Sequence, residues 1–192
     1  MKDHKHQHPA NSIDGGLAQP EEVVIVEYNP AWPARFEEEK ARILNLIGSW
    51  VERVEHIGST SVPGLGAKPI IDIMIGIRSL ADAPECIRRL ETIGYEYISK
   101  HEAMLPERRY FHKVTTYNTR THHLHMVETT TTFWTRHLLF RDYLRSHPET
   151  ARDYYRLKKE LAARFRQDRD AYTDAKTSFI EQVVAQARKE AL

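Results

Sequence analysis

The chain has 192 residues, enough for one sizeable core, and a single domain is expected at this size. Its 28 basic and 27 acidic residues leave a net charge of +1, so no field of one sign points to nucleic acid or to a membrane surface. The single cysteine, Cys86, excludes an internal disulfide and a thiolate zinc cluster; no apolar run approaches the ~20 residues that span a bilayer, no apolar signal core opens the chain, and a cytoplasmic setting is expected.

In chain order, residues 1–20 read as a disordered arm ahead of one domain over residues 21–192. The arm is polar and places His4, His6 and His8 at alternate positions. A solvated extension is favoured over a metal-binding tail, because nothing in the segment offsets the entropy of ordering it. Val23-Val24-Ile25-Val26 predicts a short strand or an extended lead-in. A helix is predicted from Trp32 to Gly48, with Pro33 in the first turn, Glu37-Glu38-Glu39 in the N-terminal half and a buried stripe of Phe36, Ile43, Leu44 and Ile47. Val51 to Ile57 alternates as a strand, Gly58 to Leu65 forms a turn with at most one helical turn, and Ile70 to Ile77 is an almost wholly apolar central strand.

A second helix is predicted from Leu80 to Ile93, ended by Gly94, and a strand from Tyr95 to Ser99. Arg109–Thr116 and Thr121–Glu128 pair as a hairpin around residues 117–120. Thr129 to Thr132 offer N-caps for a helix from Phe133 to Ser146, and His147-Pro148 interrupts the chain. Two further helices are expected, one burying Tyr154, Leu157, Leu161 and Phe165, the other Tyr172, Phe179, Val183 and Val184. Lys158, Lys159, Arg164 and Arg166 alternate with acids and read as a solvated face. The outline is α+β, a mixed β-sheet flanked by helices and closed by a C-terminal helical layer.

The chemistry concentrates at His56-Ile57-Gly58-Ser59-Thr60-Ser61-Val62-Pro63-Gly64-Leu65 and the strand Lys68-Pro69-Ile70-Ile71-Asp72-Ile73-Met74-Ile75. A lone acid among isoleucines needs a cation, a metal or hydrogen bonds, so Asp72 is either a ligand or a paired structural acid. The Gly58-Ser59 turn ahead of it offers backbone N–H groups and a hydroxyl that suit phosphate. This wording resembles the GrpB family, a branch of predicted nucleotidyltransferases, and His122-His123-Leu124-His125 and Phe140-Arg141-Asp142-Tyr143-Leu144-Arg145 agree with it.

The resemblance implies a nucleotidyltransferase-like fold in which Gly58, Ser59 and Thr60, with Lys68 nearby, hold a nucleoside triphosphate. It also implies that Asp72 holds a divalent metal. The superfamily places a second acid two residues after the first; here that position is Met74, a poor ligand for magnesium. GrpB-like domains fused to dephospho-CoA kinase add a coenzyme-A-like ligand to the classes implied.

On the strand after the hairpin, Leu124 and Met126 should face the core, which sends His123 and His125 together to the opposite side. Two imidazoles so spaced can bind one transition metal or donate to phosphate oxygens. A site of Asp72 with His125, and with His123, suits manganese, zinc or iron. Alternatively the histidines bond phosphate and one magnesium sits on Asp72. His56 is expected to support the turn from behind; of Arg108 and Arg109 at the start of the hairpin one could project into the cleft, but a surface role is favoured for both. The leading expectation is a metal-dependent transfer of a nucleoside monophosphate, catalysed through Asp72 and His125, from a triphosphate to an unidentified small-molecule or protein acceptor. The alternative is a non-catalytic nucleotide- or coenzyme-A-binding module that lacks the second carboxylate.

Overall fold

A computed structural model describes residues 22–117 and 119–191; the expected N-terminal arm, with His4, His6 and His8, lies outside the described residues. Helix α1 runs Trp32–Ile47, with Pro33 in its first turn and Asn29 Oδ1 accepting from the Ala31 N–H just ahead. Phe36, Ile43 and Ile47 are buried as the periodicity requires, but Leu44 is exposed and the stripe continues through Glu39, which is 1% exposed. Glu39 accepts from Lys113 Nζ at 2.8 Å, a pairing across 74 residues that helical spacing does not reveal.

Strands β1 (Val51–Ile57) and β2 (Ile71–Ile77) pair antiparallel, joined by a loop carrying a 3₁₀ turn at Ser59–Ser61. After a 3₁₀ turn at Leu80–Asp82, helix α2 occupies Ala83–Glu91 and is followed by Gly94 at φ +87°. Strand β3 (Tyr95–Tyr97) is shorter than expected because a 3₁₀ turn takes over at Ser99–His101. The hairpin is β4 (Arg108–Val114) and β5 (Arg120–Glu128). The sheet order is β1-β2-β5-β4-β3, with only β2 and β5 parallel. The extended segment at Val23–Val26 joins no strand; Val26 makes a single bridge to Ala67.

Thr131 caps α3 (Thr132–Ser146), its Oγ1 accepting from the Trp134 N–H. Proline at position 148 then starts α4 (Pro148–Arg164). Three helices rather than two follow the His147-Pro148 break, because a short α5 (Arg169–Asp174), capped by Asp168, carries Tyr172 apart from α6 (Thr177–Glu190).

One sheet face is the main core. Ile71, Ile73, Ile75, Ile77, Leu124, Met126 and Phe111 pack there against α1 and α2, and Cys86 lies buried in that layer. From Ile73 to Ile77 β2 is buried on both faces, which is why it reads as a continuous apolar run. On the other face α3 covers only part of the sheet, through Phe133 and Trp134 on Ile57, Met74 and Val127. Helices α4 and α6 build a second apolar cluster with Val62 and Leu65 of the loop before β2. The strip of sheet that α3 leaves uncovered is the floor of a cavity. Among the described residues no helix is long and apolar enough to cross a membrane.

Candidate functional site

Register places the polar groups of that floor in transverse rows. Ile57, Asp72, His123, His112 and Glu96 stand opposite one another across β1, β2, β5, β4 and β3. In the next row Met74, His125 and Tyr110 face each other. Leu124 and Met126 do turn to the core, so His123 and His125 share the Asp72 face as their alternation predicts.

Asp72 lies against the Gly58-Ser59 turn. Gly58 has φ +69°, and a β-carbon built there would stand 2.3 Å from Asp72 Oδ2, so both the backbone and the carboxylate require glycine. Oδ1 accepts from His123 Nδ1–H at 2.9 Å, while 28% of the Asp72 side chain stays open to the cavity. Burial would raise the Asp72 carboxyl, but the His123 hydrogen bond, the charge that His123 and His125 gain when they protonate in acid, and Lys68 outweigh it and hold the group at about 2. Burial, opposed by Asp72, keeps His123 below its ordinary value, so near neutrality His123 acts on Asp72 as a neutral donor.

Arginines cap the acceptor nitrogens of both strand histidines. Arg169 Nη2 is 3.1 Å from His123 Nε2, and Arg108 Nη1 is 3.4 Å from His125 Nδ1. These contacts leave Nε2 as the N–H of His125, and burial with Arg108 beside it holds that imidazole well below its ordinary value. Among the described residues no group of three or more His, Cys, Asp or Glu side chains converges on a point where a metal would sit. The donors therefore do not fit a resident manganese, zinc or iron centre of Asp72, His123 and His125: a cation there would displace guanidinium groups from the imidazoles. What remains is a carboxylate beside the Gly58-Ser59 turn and a neutral imidazole donor.

The other expected residues divide. Ser59 lines the cavity with Gly58 and hydrogen-bonds Tyr154. Thr60 is 1% exposed and its Oγ1 is 3.0 Å from His56 Nε2, so its hydroxyl holds the turn in place. His56 stacks on Phe36 at 4.7 Å, in the supporting position expected of it. Lys68 lines the cavity, 5.3 Å from the Tyr172 ring centre. Of the two hairpin arginines Arg108 enters the cavity, whereas Arg109 pairs with Glu102. From behind, Arg141 of α3 donates to His56 O and Glu55, and Arg145 donates to Ser61 O, so α3 braces the turn.

The cavity measures about 1150 Å³. Its walls include Arg108, Arg136, Arg169, Lys158 and Lys176 in addition to Lys68, a surplus of cations over carboxylates. Lys158 corrects the expectation of a solvated face: it is 2% exposed, and its Nζ donates to Gly66 O. Helical periodicity treats an isolated lysine in a charged helix as solvent-facing, so no sequence signal marked Lys158, Arg169 or Lys176. Tyr110 was reachable, since strand alternation in the hairpin places it opposite His125.

The family described as GrpB protein matches residues 22–186. The chain is 41% identical over 167 residues to the UPF0157 protein YqkA of Bacillus subtilis, covering 87% of this chain and 48% of that protein, so it spans about half of that relative. It is 36% identical over 166 residues to the glutamate-rich protein GrpB of Alkalihalophilus pseudofirmus, covering 85% of this chain and 94% of that protein. A dephospho-CoA kinase of Mycolicibacterium paratuberculosis is 32% identical over 175 residues, 80% of this chain and 43% of that protein. The crystal structure of conserved protein GrpB from Enterococcus faecalis superposes with a TM-score of 0.79 at 40% identity, covering 88% of this chain and 99% of the other.

Proposed function

The chain belongs to the GrpB family, and on that premise we propose that it binds a nucleoside triphosphate over Asp72 and transfers its nucleoside monophosphate to a second substrate, a small molecule or a protein. The observation that carries this reading is the Asp72 carboxylate held against the left-handed Gly58 and the Ser59 hydroxyl, in a cavity whose walls are rich in cations. A pocket for one ligand measures about 300–1,000 Å³, and at about 1150 Å³ this cavity has room for a nucleotide and an acceptor together.

In this reading Gly58 and Ser59 offer an N–H and a hydroxyl to phosphate oxygens, Lys68 and Arg108 offset their charge, and His125 Nε2–H donates to them. Magnesium or manganese arrives as part of the triphosphate substrate, where its charge favours phosphoryl transfer, and Asp72 supplies the carboxylate it meets. Asp72 stays ionised across the whole neutral range, as that task needs. The cations line a cavity rather than an open stripe, and no nucleic-acid partner is proposed.

Calorimetry of the full chain with magnesium complexes of the four common triphosphates tests binding. A pyrophosphate-release assay with a metabolite pool tests transfer. Asp72→Asn keeps the shape of the group and is expected to lose metal-dependent nucleotide binding with an unchanged melting temperature; unchanged affinity would remove Asp72 from the site. Met74 favours a second reading, a non-catalytic module for a nucleotide or a coenzyme-A-like ligand, because it is fully buried beneath α3 and leaves one acid on the strand. The dephospho-CoA kinase relatives supply the second ligand class. Binding with no pyrophosphate release from any acceptor pool would select the module.

A further inference from the structure

Two lysines of the helical layer, Lys158 on α4 and Lys176 between α5 and α6, line the same cavity as Asp72, Gly58 and Ser59. The Lys158 ammonium donates to Gly66 O and otherwise faces the rings of Tyr154 and Tyr155, at 4.8 and 6.0 Å from their centres. Half-buried Lys176 lies 4.2 Å from the centre of the Tyr172 ring, which Lys68 also approaches. Among the described residues neither ammonium forms an ion pair with a carboxylate; a carbonyl and three tyrosine rings face them. Burying two like charges without a counter-ion is costly, and a fold that keeps both beside a cavity leaves a place for an anion.

The chemistry of that anion follows from the donors. Each ammonium is a compact charge with three N–H groups, suited to tetrahedral oxyanions rather than to the planar, two-pronged pairing that arginine makes with carboxylate. Two such groups together with Lys68 call for a ligand with several negative charges close together. We propose that Lys158 and Lys176 form a subsite for the terminal phosphate groups of a polyphosphate ligand. This rests on the phosphate reading of the site given above and extends it to the helical layer.

The subsite has a thermodynamic signature. Burial lowers the Lys158 amine to about 7, with Lys176 and Lys68 adding to the drop and Asp72 opposing it. Burial lowers Lys176 to about 8, with Arg169 adding and Asp72 opposing. Tyr154, Tyr155 and Tyr172 complete the surroundings as rings. At about pH 8 the pair is therefore partly deprotonated in the free protein. A bound polyphosphate restores both ammonium groups, so binding takes up protons.

The test is calorimetry of the full chain with sodium tripolyphosphate and with magnesium-ATP, at about pH 8, in two phosphate-free buffers that differ in ionisation enthalpy. Wild type is expected to bind tripolyphosphate with proton uptake. Lys158→Met and Lys176→Gln are each expected to weaken that binding about tenfold or more and to reduce the uptake. Melting curves establish that each variant is folded, and Lys176→Gln decides if Lys158→Met does not fold. Absence of tripolyphosphate binding, binding without proton uptake, or unchanged affinity in the folded variants would overturn the subsite. Tripolyphosphate binding with uptake, but no tighter binding of ATP, supports the subsite and removes the nucleotide reading. ATP binding that is equally tight in wild type and in both variants removes the subsite and leaves the nucleotide reading standing.

Discussion

Gly58 is a position where backbone and side-chain chemistry impose the same residue. Its φ of +69° strains any L side chain, and the space a β-carbon needs belongs to Asp72 Oδ2. Gly58→Ala is expected to cost about 2 kcal/mol in urea unfolding and to shift Asp72 enough to lose nucleotide binding. Met74 shows the converse. Two residues after Asp72 on the same strand face, it looks from sequence like a gap in a metal site, but it is 0% exposed among Ile57, Val127, Phe133 and Trp134. Met74→Asp is expected to destabilise the fold by on the order of 3–5 kcal/mol and to gain no magnesium affinity. A folded variant with raised magnesium affinity in titration would show that the strand can still hold two acids around an ion.

At the scale of elements, strand alternation was legible and ligand geometry was not. The period of two places His123 and His125 beside Asp72, because it needs only to know that Leu124 and Met126 are core. It cannot report that each imidazole meets an arginine, since Arg169 lies on a helix 46 residues away. The short α5 was missed because Tyr172 falls in helical phase with the α6 residues behind it. Three other histidines, His56 on β1, His122 on β5 and His137 on α3, set the acid behaviour of the protein. Burial holds His56, His122 and His137 at about 4, against an ordinary 6.5. Between these values the unfolded chain binds more protons than the folded one, so stability falls as pH drops through that window. Urea midpoints are expected to decline steadily from pH 6.5 to about 4, and substituting His137 by Phe is expected to flatten the decline.

For the whole molecule, the mixed sheet between helices could be argued from sequence, because long apolar periods and turn residues act locally. The cavity could not, since its walls meet only through the tertiary arrangement of the helical layer. Lys158 is the sharpest case, a residue that looks solvated on its helix and is buried in the fold. Its folded value of about 7 against 10.5 means that the charge-burial penalty is complete below about pH 7 and is relieved as pH rises toward 10.5. Lys158→Met is therefore expected to gain most in melting temperature over wild type at or below pH 7, with the difference shrinking by pH 10. The contacts that close the cavity are also distant along the chain: His56 to Arg141 spans 85 residues and Gly66 to Lys158 spans 92. Contacts of such high order form late, after the nearer pairings that bury α1 against the sheet. In refolding, fluorescence from Trp32 and Trp50 should recover first and ligand binding afterwards, so that occupancy of the cavity reports the final docking of the helices rather than the collapse of the core.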